Sequence, residues 1–202
     1  MSSTSTDRVE LKTERLVLRP FGLGDVDDMV AMGGFPTWDG SGPTKPYTRR
    51  HAEEMLAQRV LDTWDTKPGF AVVLDGTVVG VVGMNINPAH ETAEIGYSLQ
   101  EKHWGKGITS EAVRAVLSWA LRDRGLAKVA AEADVRNERS WRLMEKVGMT
   151  RDGISRSDHV IHGVRTGMVW YSILREEMDH LVGTGTPSDD YDGNSGRREE
   201  GG

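Results

Sequence analysis

The stretch "EKHWGKGITSEA", residues 101 to 112, decides the fold of this sequence and the kind of ligand it can bind. It places Gly105 and Gly107 one residue apart, directly before an apolar pattern with helical spacing. A helix that begins here directs its first unpaired N–H groups and the positive end of its dipole into the glycine loop. Glycines let a phosphate approach the backbone closely, so the stretch predicts an anion-binding loop with a pyrophosphate as its natural ligand.

Side chains of the same stretch could assist this binding. Ser110 could add a hydroxyl group from the first helical turn, and Lys102 and Lys106 could add positive charge. The alternative is that the glycines only form a turn and that the lysines are solvated.

Patterns on both sides of the loop predict a mixed α+β domain. The clearest is 70–86, where two β-branched runs flank Asp75-Gly76, a dipeptide typical of tight hairpins. Asp25 is suited to cap a helix that runs through Met29 and Met32. The predicted strands are 15–21, the two arms of 70–86, 92–100, 127–135, 149–158 and 165–174, and the longer predicted helices are 49–64, 108–124 and 137–147.

Composition narrows the function class. The 202 residues suit one domain, which we expect to span residues 1–182 with 1–9 flexible, followed by a disordered polar tail at 183–202. The net charge of −6 argues against a nucleic-acid partner, and the absence of a long apolar run argues against a membrane partner. With no Cys, the chain has no disulfide, no thiolate metal site and no cysteine nucleophile, and we expect a cytoplasmic protein.

Two known phosphate-binding patterns were compared with the loop. The P-loop pattern fails, because Gly107 follows Gly105-Lys106 where Ser or Thr is required after the lysine. The dinucleotide fingerprint G-x-G-x-x-G fits Gly105 and Gly107 but has Ser110 in place of its third glycine, while Asp134 could imitate the ribose-binding acid. Dinucleotide binding therefore stays an alternative.

Longer segments resemble one family. "AEIGYSLQEKHWGKGITSEAVRAVLSWAL" is similar to the acyl-coenzyme A binding motif of the GNAT superfamily of N-acyltransferases, and "VRNERSWRLMEKVGMTRDG" resembles its next motif. "TERLVLRPF" and "RTGMVWYSILREEM" resemble the two ends of the RimJ/RimL-like branch, which acetylates protein N-termini and other amines. The resemblance covers roughly residues 10 to 180. It implies a GNAT fold, with a central twisted mixed sheet of about six to seven strands, helices on both faces, and strands splayed at an acyl-coenzyme A cleft.

The resemblance also implies acetyl-coenzyme A as cosubstrate, without a metal. The family pattern Arg/Gln-x-x-Gly-x-Gly/Ala, which cradles the pyrophosphate, falls on Lys102, Gly105 and Gly107, and Lys102 departs from the usual Arg or Gln. The cofactor-binding residues implied in this way are Ile95, Gly96, Tyr97, Lys102, His103, Trp104, Gly105, Lys106, Gly107, Ile108, Thr109, Ser110, Asn137 and Ser140.

For the chemistry, the resemblance implies direct acyl transfer to an amine, and the lack of Cys and of a G-x-S-x-G elbow agrees with it. Backbone N–H groups of 95–98 would polarise the thioester carbonyl. Glu94 is the candidate general base, on the strand face opposite Ile95 and Tyr97, although it could be an ordinary solvent-facing glutamate. Ser140 is the candidate acid near the sulfur, and with Asn137 it could equally be a helix cap.

The acceptor stays open at this stage. It could be a protein N-terminus or a small-molecule amine such as a polyamine, amino acid or antibiotic, and the chain could also be a non-catalytic acyl-coenzyme A binding module. The acyl group could be acetyl or larger, and the protein a monomer or a homodimer. Trp38 and Asp39 could line the acceptor cleft, while His159 and His162 lack the further ligands that zinc needs.

Overall fold

The computed structural model describes residues 8–33, 47–161 and 163–178. The predictions for Trp38, Asp39, His162 and the polar tail lie outside these residues. The elements are β1 Leu11–Lys12, β2 Leu16–Pro20, α1 Val26–Met32, α2 Arg49–Leu61, β3 Gly69–Leu74, β4 Thr77–Asn87, β5 Thr92–Leu99, α3 Ile108–Ser118, β6 Lys128–Asp134, α4 Glu138–Lys146, β7 Thr150–Ile161 and β8 Val164–Leu174. No helix in the described ranges is both long enough and apolar enough to cross a bilayer.

The strands form one eight-stranded mixed sheet in the order β1-β2-β3-β4-β5-β6-β8-β7. This confirms the α+β class, and the strand count is higher than the six to seven expected. The additional strand is β1, whose two residues pair with β2. Two residues are too short to show the alternation by which a strand is identified in sequence.

β5 and β6 are paired in parallel over a short length only. Their paired residues are Thr92 with Lys128, Ala93 with Val129, and Glu94 with Ala130. Beyond this point β5 continues along β4, whereas β6 continues along β8. The two strands therefore separate in the middle of the sheet, which confirms the predicted splay.

Helices cover the sheet on both faces, as predicted. On one face, α3 and α4 pack on a large apolar core that includes Ile95, Leu117 and Val129. On the other face, α1 and α2 cover β2 to β4 through a second core that includes Met29 and Leu56. The face of β5, β6 and β8 on this second side carries mainly polar residues.

One helix ends earlier than predicted, and another changes its geometry near its predicted end. α2 ends at Leu61 rather than near residue 64, because Trp64 leaves the helix to pack edge-on against Phe70, at a centroid distance of 4.9 Å. α3 does continue to residue 123, as predicted, but Trp119–Asp123 adopt the wider π-helical geometry. Gly125 then ends the segment with a φ of 70°.

Candidate active site

The glycine loop requires its glycines for conformational reasons. Gly105 has a φ of 74° and Gly107 a φ of 77°, both in the left-handed region that other residues avoid. A Cβ atom added at Gly105 would meet nothing within 4 Å, so the backbone conformation, and not a lack of space, demands glycine there. Gly107 is the residue immediately before α3, and the first N–H groups of that helix open into the loop.

Arg15 braces this loop from the other end of the sequence. Its Nη1 donates to the carbonyl oxygen of Lys106 at 3.0 Å, and its Nε donates to Glu111 in the first turn of α3 at 2.7 Å. Thr13 donates to the same carboxylate. Burial acts to raise the pKa of Glu111, but the hydrogen bonds from Thr13 and Arg15 outweigh it and lower that pKa. Sequence reasoning missed this brace, because its partners lie more than 90 positions apart.

Trp104 joins the loop to both the sheet and α4. Its indole N–H donates to the carbonyl oxygen of Leu99 at 2.8 Å, and the guanidinium of Arg139 lies 4.0 Å from the ring centroid. The adjacent His103 has a lowered pKa, because of burial and then the charges of Lys102 and Lys106. Neutral His103 thus remains the dominant form at neutral pH.

A cleft of about 970 Å³ lies between β5, the glycine loop, α3 and α4. Of the cofactor residues expected from sequence, it is lined by Tyr97, His103, Trp104, Gly105, Gly107, Ile108, Thr109, Ser110, Asn137 and Ser140. Ile95, Gly96, Lys102 and Lys106 are not among its lining residues. Ile95 is buried in the core, and the two lysine side chains are exposed.

The wall that α4 contributes carries three basic side chains and one acidic side chain, Glu138, which is paired with Arg142 at 2.8 Å, and sequence reasoning did not assign the basic residues. Arg139, Arg142 and Lys146 all line the cleft. They are spaced three and four residues apart, which places them on one helical face. That spacing was the signal that could have identified them.

Asp134, the residue proposed to imitate a ribose-binding acid, is unsuited to that role. Its side chain is completely buried and accepts hydrogen bonds from Arg136, the shortest at 2.6 Å. The hydrogen bond from Arg136 is the main cause of a lowered pKa for Asp134. The carboxylate therefore positions Arg136 at the cleft, and the dinucleotide alternative loses its acidic residue.

Tyr97 and Ser140 meet across the place where β5 and β6 separate. The Tyr97 hydroxyl donates to the Ser140 carbonyl oxygen at 3.2 Å and lies 3.0 Å from Ser140 Oγ. Burial raises the pKa of Tyr97 to about 12. Asn137 accepts a hydrogen bond from the Ser140 amide at 3.2 Å, so it does cap α4, while both residues also line the cleft.

Glu94 lies at a second cavity, on the opposite face of the sheet. This cavity has a volume of about 370 Å³, and its wall includes Asn85, Glu94, Lys128 and Trp170. Glu94 is exposed while Ile95 is buried, in agreement with the alternation expected from sequence. Glu132 lies on the same face, and burial together with the charge of Glu94 raises its pKa.

The fold also brings acidic groups to His159. Donor atoms of Glu132, Asp158 and His159 lie within 4.8 Å of one another. Sequence spacing gave no sign of Glu132 as a neighbour, because it comes from β6 while the other two come from β7. The group extends the acidic character of the second cavity's face.

The large cleft lies beside the separated part of β5, whereas the second cavity lies over the paired residues of β5 and β6 and reaches the gap at Glu94 and Ala130. One side offers a glycine loop at a helix N-terminus and a basic wall, which suit a ligand with several phosphates. The other side offers the Glu94 carboxylate and the Trp170 indole, which suit a positively charged group, beside Lys128, whose ammonium is paired with Asp152 at 3.2 Å.

Comparison with known proteins agrees with this geometry. The family model described as an acetyltransferase (GNAT) domain matches residues 15–150. The chain is 28% identical over 172 residues to the uncharacterized N-acetyltransferase p20 of Bacillus licheniformis, an alignment that covers 83% of this chain and 97% of p20. It is 32% identical over 85 residues to the ribosomal-protein-serine acetyltransferase of Escherichia coli K12, which covers 42% of this chain and 48% of that protein.

Among solved structures, the chain resembles the microcin C7 self-immunity acetyltransferase MccE in complex with acetyl-CoA and AMP. The TM-score is 0.71 at 20% identity, and the match covers 80% of this chain and 93% of the other. At this identity the likeness establishes the fold.

Proposed function

This chain belongs to the GNAT acetyltransferase domain family, and we propose that it transfers an acetyl group directly from acetyl-coenzyme A to a primary amine. The single observation that carries the proposal is the separation of β5 from β6 beyond Glu94 and Ala130, with one cavity on each face of the sheet. This arrangement lets a thioester and an amine approach one point from opposite sides.

The glycine loop and the basic residues of the large cleft support coenzyme A as its ligand. Its pyrophosphate would lie against the loop of Gly105 and Gly107, where N–H groups at the start of α3 donate. Arg139, Arg142 and Lys146 would neutralise further phosphate charge. Ile95, although it does not line the cleft, would still contribute through its backbone.

The thioester carbonyl would be polarised by backbone N–H groups of 95–98, on the part of β5 that β6 no longer pairs with. As the neutral amine attacks the carbonyl carbon, the new C–N bond forms, the C–S bond breaks, and the second proton lost from the nitrogen passes to solvent. Ser140 would donate a hydrogen bond to the departing sulfur, which carries away the electron pair.

Glu94 is the proposed general base, and it would take a proton from the ammonium form of the acceptor in the second cavity. The pKa is near 10 for an alkyl ammonium group and about 8 for a peptide N-terminus, so near neutral pH a base or water must remove a proton before attack. Trp170, in the wall of the same cavity, would help to hold the cation.

The acceptor class is proposed on two grounds. The similarity to a ribosomal-protein-serine acetyltransferase supports a protein acceptor, for which we propose the N-terminal amine. The modest volume of the second cavity and the presence of Glu94 in its wall support, as an alternative, a small cationic amine.

The test is release of free thiol from acetyl-coenzyme A with a panel of N-terminal peptides, polyamines and amino acids. We expect release with at least one acceptor class, and the preferred class decides between the two acceptors. Coenzyme A binding without release across the panel would instead indicate a non-catalytic binding module. A rise in melting temperature with NADH but not with coenzyme A would favour the dinucleotide alternative.

A further inference from the structure

We propose that Tyr97 is a positioning residue for acyl transfer, and that it acts by orienting the hydroxyl group of Ser140 toward the departing sulfur. The inference rests on the function proposed above. It concerns a contact between β5 and α4 that closes over the gap in the sheet.

The geometry restricts the hydroxyl of Ser140 to few orientations. The Tyr97 hydroxyl lies 3.0 Å from Ser140 Oγ and 3.2 Å from the Ser140 carbonyl oxygen. A phenol has one proton, so Tyr97 donates to one of these oxygens at a time. The Ser140 amide is already bonded to Asn137, so the backbone of Ser140 is held as well.

The arrangement that matters is the one in which Tyr97 donates to Ser140 Oγ. The Ser140 proton is then directed away from Tyr97 and is available to an acceptor in the cleft. Consecutive hydrogen bonds polarise one another, so the phenol makes Ser140 a stronger donor. When the C–S bond breaks, sulfur takes the electron pair and accepts this hydrogen bond, and it can leave as the thiolate without removing a proton from Ser140.

Tyr97 keeps its proton throughout this step. Because burial raises its pKa to about 12, it remains a donor over the whole range in which the reaction can be assayed. A serine hydroxyl without this partner would rotate freely and would spend less time directed at sulfur.

The kinetic test compares Tyr97→Phe, Ser140→Ala and the double variant. We expect Tyr97→Phe to lower kcat about tenfold with the KM for acetyl-coenzyme A changed less than about twofold, because the lost donor acts mainly on developing charge. In the Ser140→Ala background the same change should have almost no further effect. An equal loss in both backgrounds, or a wild-type kcat in Tyr97→Phe, would overturn the proposal.

A second test needs no acceptor. A hydrogen bond from Ser140 favours the thiolate of bound coenzyme A, so the affinity for coenzyme A relative to desulfo-coenzyme A should rise between pH 7 and pH 9.5. The desulfo analogue cancels the titration of His103 and of the phosphates in the same cleft. This rise should disappear in Ser140→Ala and become smaller in Tyr97→Phe, and an unchanged rise in both would refute the mechanism.

Tyr171→Phe is the matched control. It also removes the hydroxyl of a buried tyrosine in the sheet, one that donates to Glu145 at 2.8 Å. We expect it to change stability but neither kcat nor the pH dependence of binding. Failure of coenzyme A to bind the wild type would refute the proposed function itself. Normal transfer by the wild type, together with an equal effect of Tyr97→Phe in the wild-type and Ser140→Ala backgrounds, would refute only the role of Tyr97.

Discussion

Glu94 and Ala130 are the last pair of residues that β5 and β6 share before the two strands separate. The pair therefore marks where the sheet opens, and it places the proposed base directly at the opening. Glu94 belongs to the wall of the second cavity, while Tyr97, three residues further along β5, belongs to the wall of the large cleft.

Glu94→Gln should lower kcat about 10²-fold at neutral pH, because it removes a group that accepts the proton of the ammonium acceptor. The KM for acetyl-coenzyme A should change little, since Glu94 lies outside the large cleft. Steady-state kinetics from pH 6 to 9 would measure both. Glu101→Gln, at an exposed site, is the control. Wild-type rates of Glu94→Gln throughout this pH range would exclude Glu94 as the base.

Gly107→Asp should weaken coenzyme A binding strongly, because it imposes a positive φ on a side-chain-bearing residue and places a carboxylate beside the proposed phosphate site. Calorimetric titration with coenzyme A would measure the loss. Gly163→Asp introduces the same change at a φ of 75° in the β7–β8 turn, and should leave affinity unchanged. Equal affinities of a folded Gly107→Asp variant and the wild type would rule out the glycine cradle.

Arg139→Gln should raise the KM for acetyl-coenzyme A about tenfold and make this KM less dependent on salt concentration. The reason is that the substitution removes a guanidinium that lines the cleft, together with its contact with Trp104. Initial rates at two ionic strengths would measure the effect. Arg50→Gln removes an exposed charge that is paired with Glu54, outside the cleft, and serves as the comparison. Identical salt dependence in the two variants would argue against a phosphate contact at Arg139.

Glu111→Gln should make stability less dependent on pH in the acid range. The folded-state pKa of Glu111 is lowered, so its stabilising contribution is present above the ordinary carboxyl pKa and is lost as pH falls through the folded value. Since Arg15 is partly exposed, we expect a difference of about 1 kcal/mol in the free energy of unfolding near neutral pH.

Urea unfolding of the wild type and Glu111→Gln between pH 6 and pH 3 would measure this difference. The curves should converge as the pH falls. Glu176→Gln, at an exposed position, controls for the general effect of removing a carboxylate. If the free energy of unfolding depended on pH in the same way for the wild type and Glu111→Gln, a stabilising interaction of Glu111 with Arg15 and Thr13 would be contradicted.

Local patterns predicted most of the fold because most helices and strands can be identified from a pattern of a few residues. The Asp75-Gly76 turn, for example, lies between β3 and β4 as expected. The predicted end of α2 was wrong because Trp64 packs against Phe70 and Trp119. Helical periodicity does not reveal such a tertiary contact.

Only part of the candidate site was predictable from sequence. The left-handed glycines and the exposed position of Glu94 follow from short-range rules. The Arg15 brace and the contact between Tyr97 and Ser140 do not, because they join residues that only the sheet topology brings together. Lys102 and Lys106 were placed near the phosphate by their positions in the sequence, but their side chains are exposed and do not line the cleft.

The sheet also separates the second cavity from the large cleft. Side chains from β4, β6 and β8 build one wall of the second cavity, while α3 and α4 build the cleft on the far side. Residues such as Asn85 and Trp170 can therefore be exchanged without touching the glycine loop. Under the function proposed above, substitutions in the second cavity would change the preferred amine and leave the cleft for acetyl-coenzyme A intact.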